Sequence, residues 1–228
     1  FREEFYNKFN INHRVIRQDK PALWRARNLG IKSSKSEYLF FLDDDSRIKP
    51  NWIIEHLKCI DYFHADISSG ISISRIGAKV PDNYSFFRWS DQLDTGNVLI
   101  NKKVFEKCGL FDERFERMRM GDGEFGLRAY LCGFNNISNP KASREHLKIS
   151  KGGLRNMGHW DGFHTKNIFS PRPVPSVFYY WRKYWGNKSA LLSCLLIIPF
   201  VLLPYKYKST LGGAITSLIL FILFSPII

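Results

Sequence analysis

The chain has 228 residues, enough for one sizeable α/β domain with a smaller appendage. Its 34 Lys and Arg against 21 Asp and Glu leave a formal charge of +13, which calls for an anionic partner: a phosphorylated substrate, an acidic lipid surface or nucleic acid. The four cysteines, Cys59, Cys108, Cys132 and Cys194, show no CxxC spacing and read as reduced structural thiols of a cytosolic compartment.

No cleavable signal peptide is visible, and the chain opens on Phe1 in mid-pattern, as a fragment of a longer protein would. Ile11 to Ile16 is predicted as a short strand. Leu23, Ala26, Leu29 and Ile31 give Ala22 to Ser33 a helical spacing. Tyr38 to Leu42 is a continuous apolar run, expected as a strand buried on both faces of a parallel sheet, and it stops at Asp43-Asp44-Asp45. Pro50 marks a first helical turn and predicts a helix from Asn51 to Phe63. Strands follow at Ile67 to Ile76 and Val98 to Ile100, then a helix from Lys103 to Cys108. A further helix runs from Gly121 to Phe134 and closes at Gly133. The fold class is α/β, with the chemistry at the C-terminal ends of strands.

Pro171, Pro173 and Pro175 mark a linker, and the run from Phe178 to Trp185 is aromatic and basic, as an interfacial belt would be. Two apolar stretches follow, Ser189 to Leu203 and Ser209 to Ile228, the second about long enough to cross a bilayer. Membrane insertion, a re-entrant hairpin or a buried core hairpin all suit them. The predicted organisation is an α/β domain over 1–165, a linker over 166–188 and a hydrophobic hairpin or pair of helices over 189–228.

Three successive carboxylates at the end of a buried strand repel one another unless a cation or donors offset the charge. A divalent ion shared with a diphosphate does so, because Mg²⁺ and Mn²⁺ favour hard oxygen ligands. In extended chain Asp43 and Asp45 point to one side and Asp44 to the other. A solvated acidic turn capping the next helix is the alternative.

The span from Ala26 to Trp52 resembles the central signature of family 2 glycosyltransferases, inverting enzymes of the GT-A fold: Ala26-Arg27-Asn28 with Gly30 and Ile31, a hydrophobic strand, a DxD-type motif and a Pro-x-Trp-like helix start. A second block, Asp94-Thr95-Gly96-Asn97-Val98-Leu99-Ile100 with Gly109-Leu110-Phe111-Asp112 and Phe115, is similar to the family's Gly-Asn strand and Gly-x-Phe-Asp turn. A third, Gly121 to Arg128 with Gly133-Phe134, resembles its "ED" segment.

The resemblance implies a nucleotide-sugar donor and Mn²⁺ or Mg²⁺. Asp45 would be the metal ligand. Asp43 would contact the metal or the donor, and Asp44 the donor. Gly121 stands where the family has Glu, so Asp122 is the implied general base, with Glu124 as its substitute; a plain helix N-cap is the other reading of Asp122. His146 would complete the metal shell, or serve the structure only. Lys151 and Arg155, flanking Gly152-Gly153, would pair with the diphosphate from a mobile lid, or lie in a solvated loop. Trp89 would stack on a sugar, or be a rim aromatic, with Asp91 and Asp94 beside it on the acceptor side. The other histidines have no ligand spacing. The family's first strand, with its Pro-x-Tyr-Asn pattern and much of the nucleobase pocket, lies ahead of Phe1 in this comparison. Trp181-Arg182 reverses the order found in the QxxRW motif of processive synthases, which points to transfer of one or a few sugars. The expected setting is the cytoplasmic face of the cell membrane, with a glycan or lipid-linked acceptor and no nucleic acid. The missing Glu keeps open a non-catalytic, membrane-anchored scaffold with a degenerate transferase fold.

Overall fold

Trp24, Asn28 and Ile31 share one face of helix α1 (Leu23–Ser33) and are its buried residues. In the computed structural model, which describes residues 8–10, 12–74, 80–118, 120–147, 174–202 and 210–224, this helix packs beside strand β1 (Tyr38–Leu42). The chain continues through β2 (Ser46–Ile48), α2 (Trp52–Phe63), β3 (Ile67–Ser74), β4 (Arg88–Trp89), β5 (Asn97–Asn101), α3 (Lys102–Cys108), α4 (Gly121–Leu131), β6 (Asn136–His146), α5 (Val174–Leu202) and α6 (Leu211–Phe224). The sheet is mixed, ordered β1-β5-β3-β6-β2 with β4 also on β6. Only β3 and β6 are paired in parallel among these strands.

Two expectations change here. Residues 12–16 are exposed and form no strand, so Val15 and Ile16 do not build a sheet position. Tyr38–Leu42 is a strand, but its partner is antiparallel β5, Leu42 is largely exposed, and Leu39 is its buried residue. β5, flanked by β1 and β3, carries the load instead: Asn97 to Asn101 are all buried. Around Val98 and Ile100 the core gathers Ile67, Val104 and an aromatic group in which Phe111 and Phe125 lie 4.5 Å apart and Phe105 and Phe125 stack at 5.0 Å. Aromatic pairs at such spacing add about 0.5–1.5 kcal/mol each beyond area burial.

β6 has no apolar run and contains Pro140, so nothing in its composition announces a strand. The proline sits where the β3–β6 register slips, from Gly70↔Asn139 to Ile71↔Ser143. A bulge tolerates the missing N–H that a regular ladder would not. Gly70 is required at that bulge, since a Cβ there would lie 2.1 Å from the Ala142 carbonyl.

A polar knot sits inside the sheet. Asn97 donates from Nδ2 to the carbonyls of Ile71 and Ala142 and accepts the Trp52 indole N–H at 2.8 Å. His56, fully buried, spans Ser68 and Asn97. Burial pushes its imidazole down to about 4, against the opposing hydrogen bonds to Asn97 and Ser68. The folded state therefore binds its proton less readily than the unfolded chain, whose histidine titrates near 6.5. Stability is full above that pH and drains as pH falls toward 4, by ~3 kcal/mol from this group. Chemical denaturation at pH 7.5 and 4.5 checks this: His56→Gln should flatten the difference.

The stretch read as a linker, residues 166–188, overlaps the start of α5. Residues 174–185 are helical, and Gly186 (φ 80°) breaks α5 in two. Val177 and Tyr180 are buried, and Tyr179, Trp181 and Tyr184 pack on the core. The aromatic run thus faces the α/β domain in large part. Beyond the break, Leu191, Leu192, Leu195 and Leu196 are 57–59% exposed, as are Leu211, Ile215 and Ile219 of α6 at 50–81%. Within the hydrophobic stretches residues 189–202 and 211–224 are helical, yet no helix among the described residues is long and apolar enough to cross a membrane.

Candidate functional site

β1 delivers its last residue, Leu42, to the open end of the sheet, and the acidic triplet follows in a turn. Pairing of β2 with β6 places Ser46 opposite His146, and the Leu147 N–H closes on the Asp45 carbonyl at 2.9 Å. A histidine a hundred positions away is thereby set against the turn, its Nε2 lying 3.2 Å from Asp45 Oδ2. One donor atom each from Asp43, Asp45 and His146 lie within 4.8 Å of one another. Two carboxylate oxygens and an imidazole nitrogen form a donor set that suits Mn²⁺ and, less strictly, Mg²⁺. Asp44 is exposed and takes no part in this cluster; in the turn it joins Asp43 in lining a cleft of about 580 Å³ between α1 and β1, with Leu23, Arg27, Ile31 and Phe41. That volume lies within the range of ligand pockets.

Asp43 is more heavily engaged than its place in the motif suggests. Arg27 Nη2 donates to Oδ1 at 3.0 Å and Arg144 Nη1 to Oδ2 at 2.9 Å. Arg27 is itself laid over the Trp24 ring. The neighbouring Asn28 locks to Phe111 in both directions at 3.0 Å, Nδ2 to the carbonyl and N–H to Oδ1, which ties the Ala-Arg-Asn helix to the Gly-x-Phe-Asp turn.

Asp122 occupies the first turn of α4 but does not cap it. The cap position is Met120, in left-handed conformation and with no side-chain cap bond. The Asp122 carboxylate instead turns to Thr95, whose hydroxyl and N–H (3.3 Å) both donate to Oδ1. Burial pushes its carboxyl up; the Arg27 charge opposes this, Asp94 adds to it, and the Thr95 bonds oppose it. A carboxyl so placed is poised toward proton acceptance. Gly121, where the sequence comparison expects Glu, has the Trp24 ring beside it: a Cβ would fall 2.1 Å from Cζ2. Packing of the α1 indole accounts for the departure.

Glu124, the alternative base implied by the sequence, is engaged elsewhere. It is fully buried and accepts from Arg128 Nε and Nη2 at 3.0 Å, and from Lys183 Nζ and Tyr184 OH at 2.6 Å. Burial would raise its carboxyl, but Arg128, Lys183 and Tyr184 outweigh that and hold it below its ordinary value. With Asp112, which accepts from Tyr179 and Lys183, it fastens residues 174–185 to α4. Asp94 is likewise turned inward: burial would raise it, and Arg144, Ser72 and the Gly96 N–H hold it down. It faces the Arg144 guanidinium. Trp89 is exposed at the short edge strand β4, free of the core, and Asp91 begins the loop that crosses α4 at Gly126. Lys151 and Arg155, with the Gly152-Gly153 loop, lie outside the described residues. Sequence reasoning passed over Arg27, Thr95 and Arg144; Arg27 and Thr95 stand inside the quoted blocks, and Arg144 is two residues before His146.

Residues 2–115 match the family described as Glycosyl transferase family 2. A chondroitin synthase of Escherichia coli is 26% identical over an alignment that covers 95% of this chain and 39% of the relative. Glycosyltransferase GlyA of Streptococcus pneumoniae is 26% identical over 48% of this chain and 15% of its own length. The chain therefore spans about two fifths or less of these curated relatives. Among solved structures, S. aureus TarS 1-349 in complex with UDP-GlcNAc superposes with a TM-score of 0.57 at 15% identity, over 95% of this chain and 65% of that one. GalNAc-T7 with UDP, GalNAc and Mn²⁺ superposes at 0.54 and 16% identity, over 67% of this chain and 35% of that one. At such identities the likeness is one of fold.

Proposed function

This chain belongs to glycosyl transferase family 2, and from that premise we propose that it moves a sugar from a nucleoside-diphosphate sugar to a hydroxyl of a glycan or lipid-linked acceptor, with inversion at the anomeric carbon. The observation that carries this is the convergence of Asp43, Asp45 and His146 at the sheet end, with Arg27 bonded to Asp43 and acting electrostatically on Asp122. Asp122 accepts the proton of the acceptor hydroxyl as its oxygen bonds to the anomeric carbon. The bond from that carbon to the diphosphate oxygen breaks in the same displacement. Thr95 keeps the carboxylate turned, and Arg27 adds positive charge beside the departing phosphates. Asp45, His146 and Asp43 would hold a divalent ion, which when bound stabilises the charge developing on the nucleoside diphosphate. Asp44 and the cleft beside it would receive the donor, with Lys151 and Arg155 closing on its phosphates and Trp89 on the acceptor side.

Lipid surface is the proposed setting, at the cytoplasmic face. The support is the exposed leucine and isoleucine of residues 187–224 together with the net charge of +13, a combination that favours lying in an anionic interface. The test is a screen of nucleotide sugars with the full-length protein, with and without Mn²⁺, beginning with UDP-GlcNAc. Transfer or donor hydrolysis that depends on the ion is expected. Silence with every donor would leave the scaffold reading. Failure to sediment with anionic vesicles would remove the membrane assignment.

A further inference from the structure

Arg144 lies two residues before His146, the last residue of β6, and its side chain is only 1% exposed. A guanidinium is kept from water only where its donors are matched, and here they are shared among four groups. Nε donates to Ser72 Oγ at 2.6 Å; Nη1 donates to Asp43 Oδ2 at 2.9 Å and to Ser46 Oγ at 2.7 Å; Nη2 donates to Asp94 Oδ2 at 3.0 Å. Gly96 makes room for this closure. A Cβ there would stand 2.2 Å from Asp43 Oδ2 and 2.4 Å from Arg144 Nη2.

The consequence lies in what each end of the fork holds. On one side is Asp43, a member of the proposed metal set. On the other is Asp94, which also accepts the Gly96 N–H at 2.9 Å and so pins the turn before β5. The next residue in that turn is Thr95, whose hydroxyl and N–H aim the Asp122 carboxylate. Two ion pairs, one peptide link and one paired hydrogen bond thus join the acidic triplet to the proposed base. We propose that Arg144 is a positioning residue that holds the metal motif and Asp122 in one fixed relation, and that the planar fork, rather than the positive charge, performs this task. A lysine would supply the charge but cannot meet Asp43 and Asp94 from one rigid plane. The proposal rests on reading Asp122 as the base and Asp43, Asp45 and His146 as the metal set.

The experiment uses full-length protein and compares wild type, Arg144→Lys, Thr95→Val and the double variant. It reads Mn²⁺ affinity by paramagnetic resonance, and kcat and KM for transfer. Arg144→Lys is expected to weaken Mn²⁺ binding by about 10- to 100-fold and to lower kcat by at least ~10-fold with little change in acceptor KM. Thr95→Val should lower kcat and leave Mn²⁺ binding as it is, while Thr95→Ser, which keeps the hydroxyl, should restore kcat. Because both act on one linkage, the double variant should fall no further than about the worse single variant. Wild-type Mn²⁺ affinity or wild-type kcat in Arg144→Lys overturns the proposal, as do effects that simply multiply. Should Arg144→Lys fail to fold, Asp94→Asn, which keeps the shape and loses the ion pair, replaces it with the same expectations. A wild-type protein that binds Mn²⁺ but transfers nothing would fail the functional reading alone, and the Mn²⁺ comparison would still decide the role of Arg144.

Discussion

Asp122→Asn in the full-length protein is expected to lower kcat for transfer by ~10²–10⁴-fold, the usual worth of a positioned base. The substitution keeps the volume and leaves an oxygen for the Thr95 hydroxyl and N–H, so the turn around Thr95 has no reason to move. What is lost is the ability to take a proton. Burial pushes the Asp122 carboxyl up, so its charged form costs the folded state stability once pH rises past its unfolded value. Asparagine removes that cost, and the thermal midpoint near neutral pH should hold or rise. In the wild type, kcat/KM should fall on the acid side as Asp122 is protonated, with the limb above the ordinary carboxylate range. Asp122→Asn should lack that limb in its residual activity. Retained wild-type transfer in Asp122→Asn would sink the assignment.

Asp45→Ala carries the second large effect. Asp45 lies 3.2 Å from His146 Nε2, and its own carbonyl receives the Leu147 N–H, so side chain and backbone of one residue both knit the triplet to β6. Alanine keeps the backbone bond and deletes the carboxylate. Mn²⁺ affinity should drop by about 100-fold or more and ion-dependent transfer should vanish, because the remaining carboxylate, Asp43, is already shared between two guanidiniums. Asp44→Ala, on the outer side of the turn, should bind Mn²⁺ as the wild type does and lose donor affinity instead. Titration calorimetry with Mn²⁺ and with the donor separates the two. Equal Mn²⁺ affinity in Asp45→Ala and wild type would remove Asp45 from the site.

How far such a site is legible beforehand depends on how local its causes are. α1 shows itself through spacing that a single helix face requires and α2 through Pro50 at its start, and Gly133, with φ of 85°, follows α4 where the pattern expects its close. The triplet is visible because three adjacent carboxylates are electrostatically expensive in any fold. The surroundings of Glu124 were not legible for a physical reason: two residues from Asp122 in sequence, on a helix it points to a different face, and that face meets Arg128, Lys183 and Tyr184. The partner of Asp94 was hidden in the same way, since nothing near it in the chain reveals the cation fifty residues on that pairs with it.

By itself the sequence determined the α/β class, the helices around β1 and β5, the family signature, and the two carboxylates to which the proposed function assigns the chemistry, Asp45 and Asp122. These follow from periodicity and from residue types within a few positions of one another. Tertiary structure alone decided that β6, polar and interrupted by Pro140, is a strand, and that it lies between β3 and β2 with Arg144 and His146 at its end. It also decided that residues 174–185 form a helix that packs on the domain. The reason is the same in each case: a strand without apolar runs, a buried guanidinium or a helix fastened by its hydroxyls is stable only against partners that the chain brings from scores of residues away.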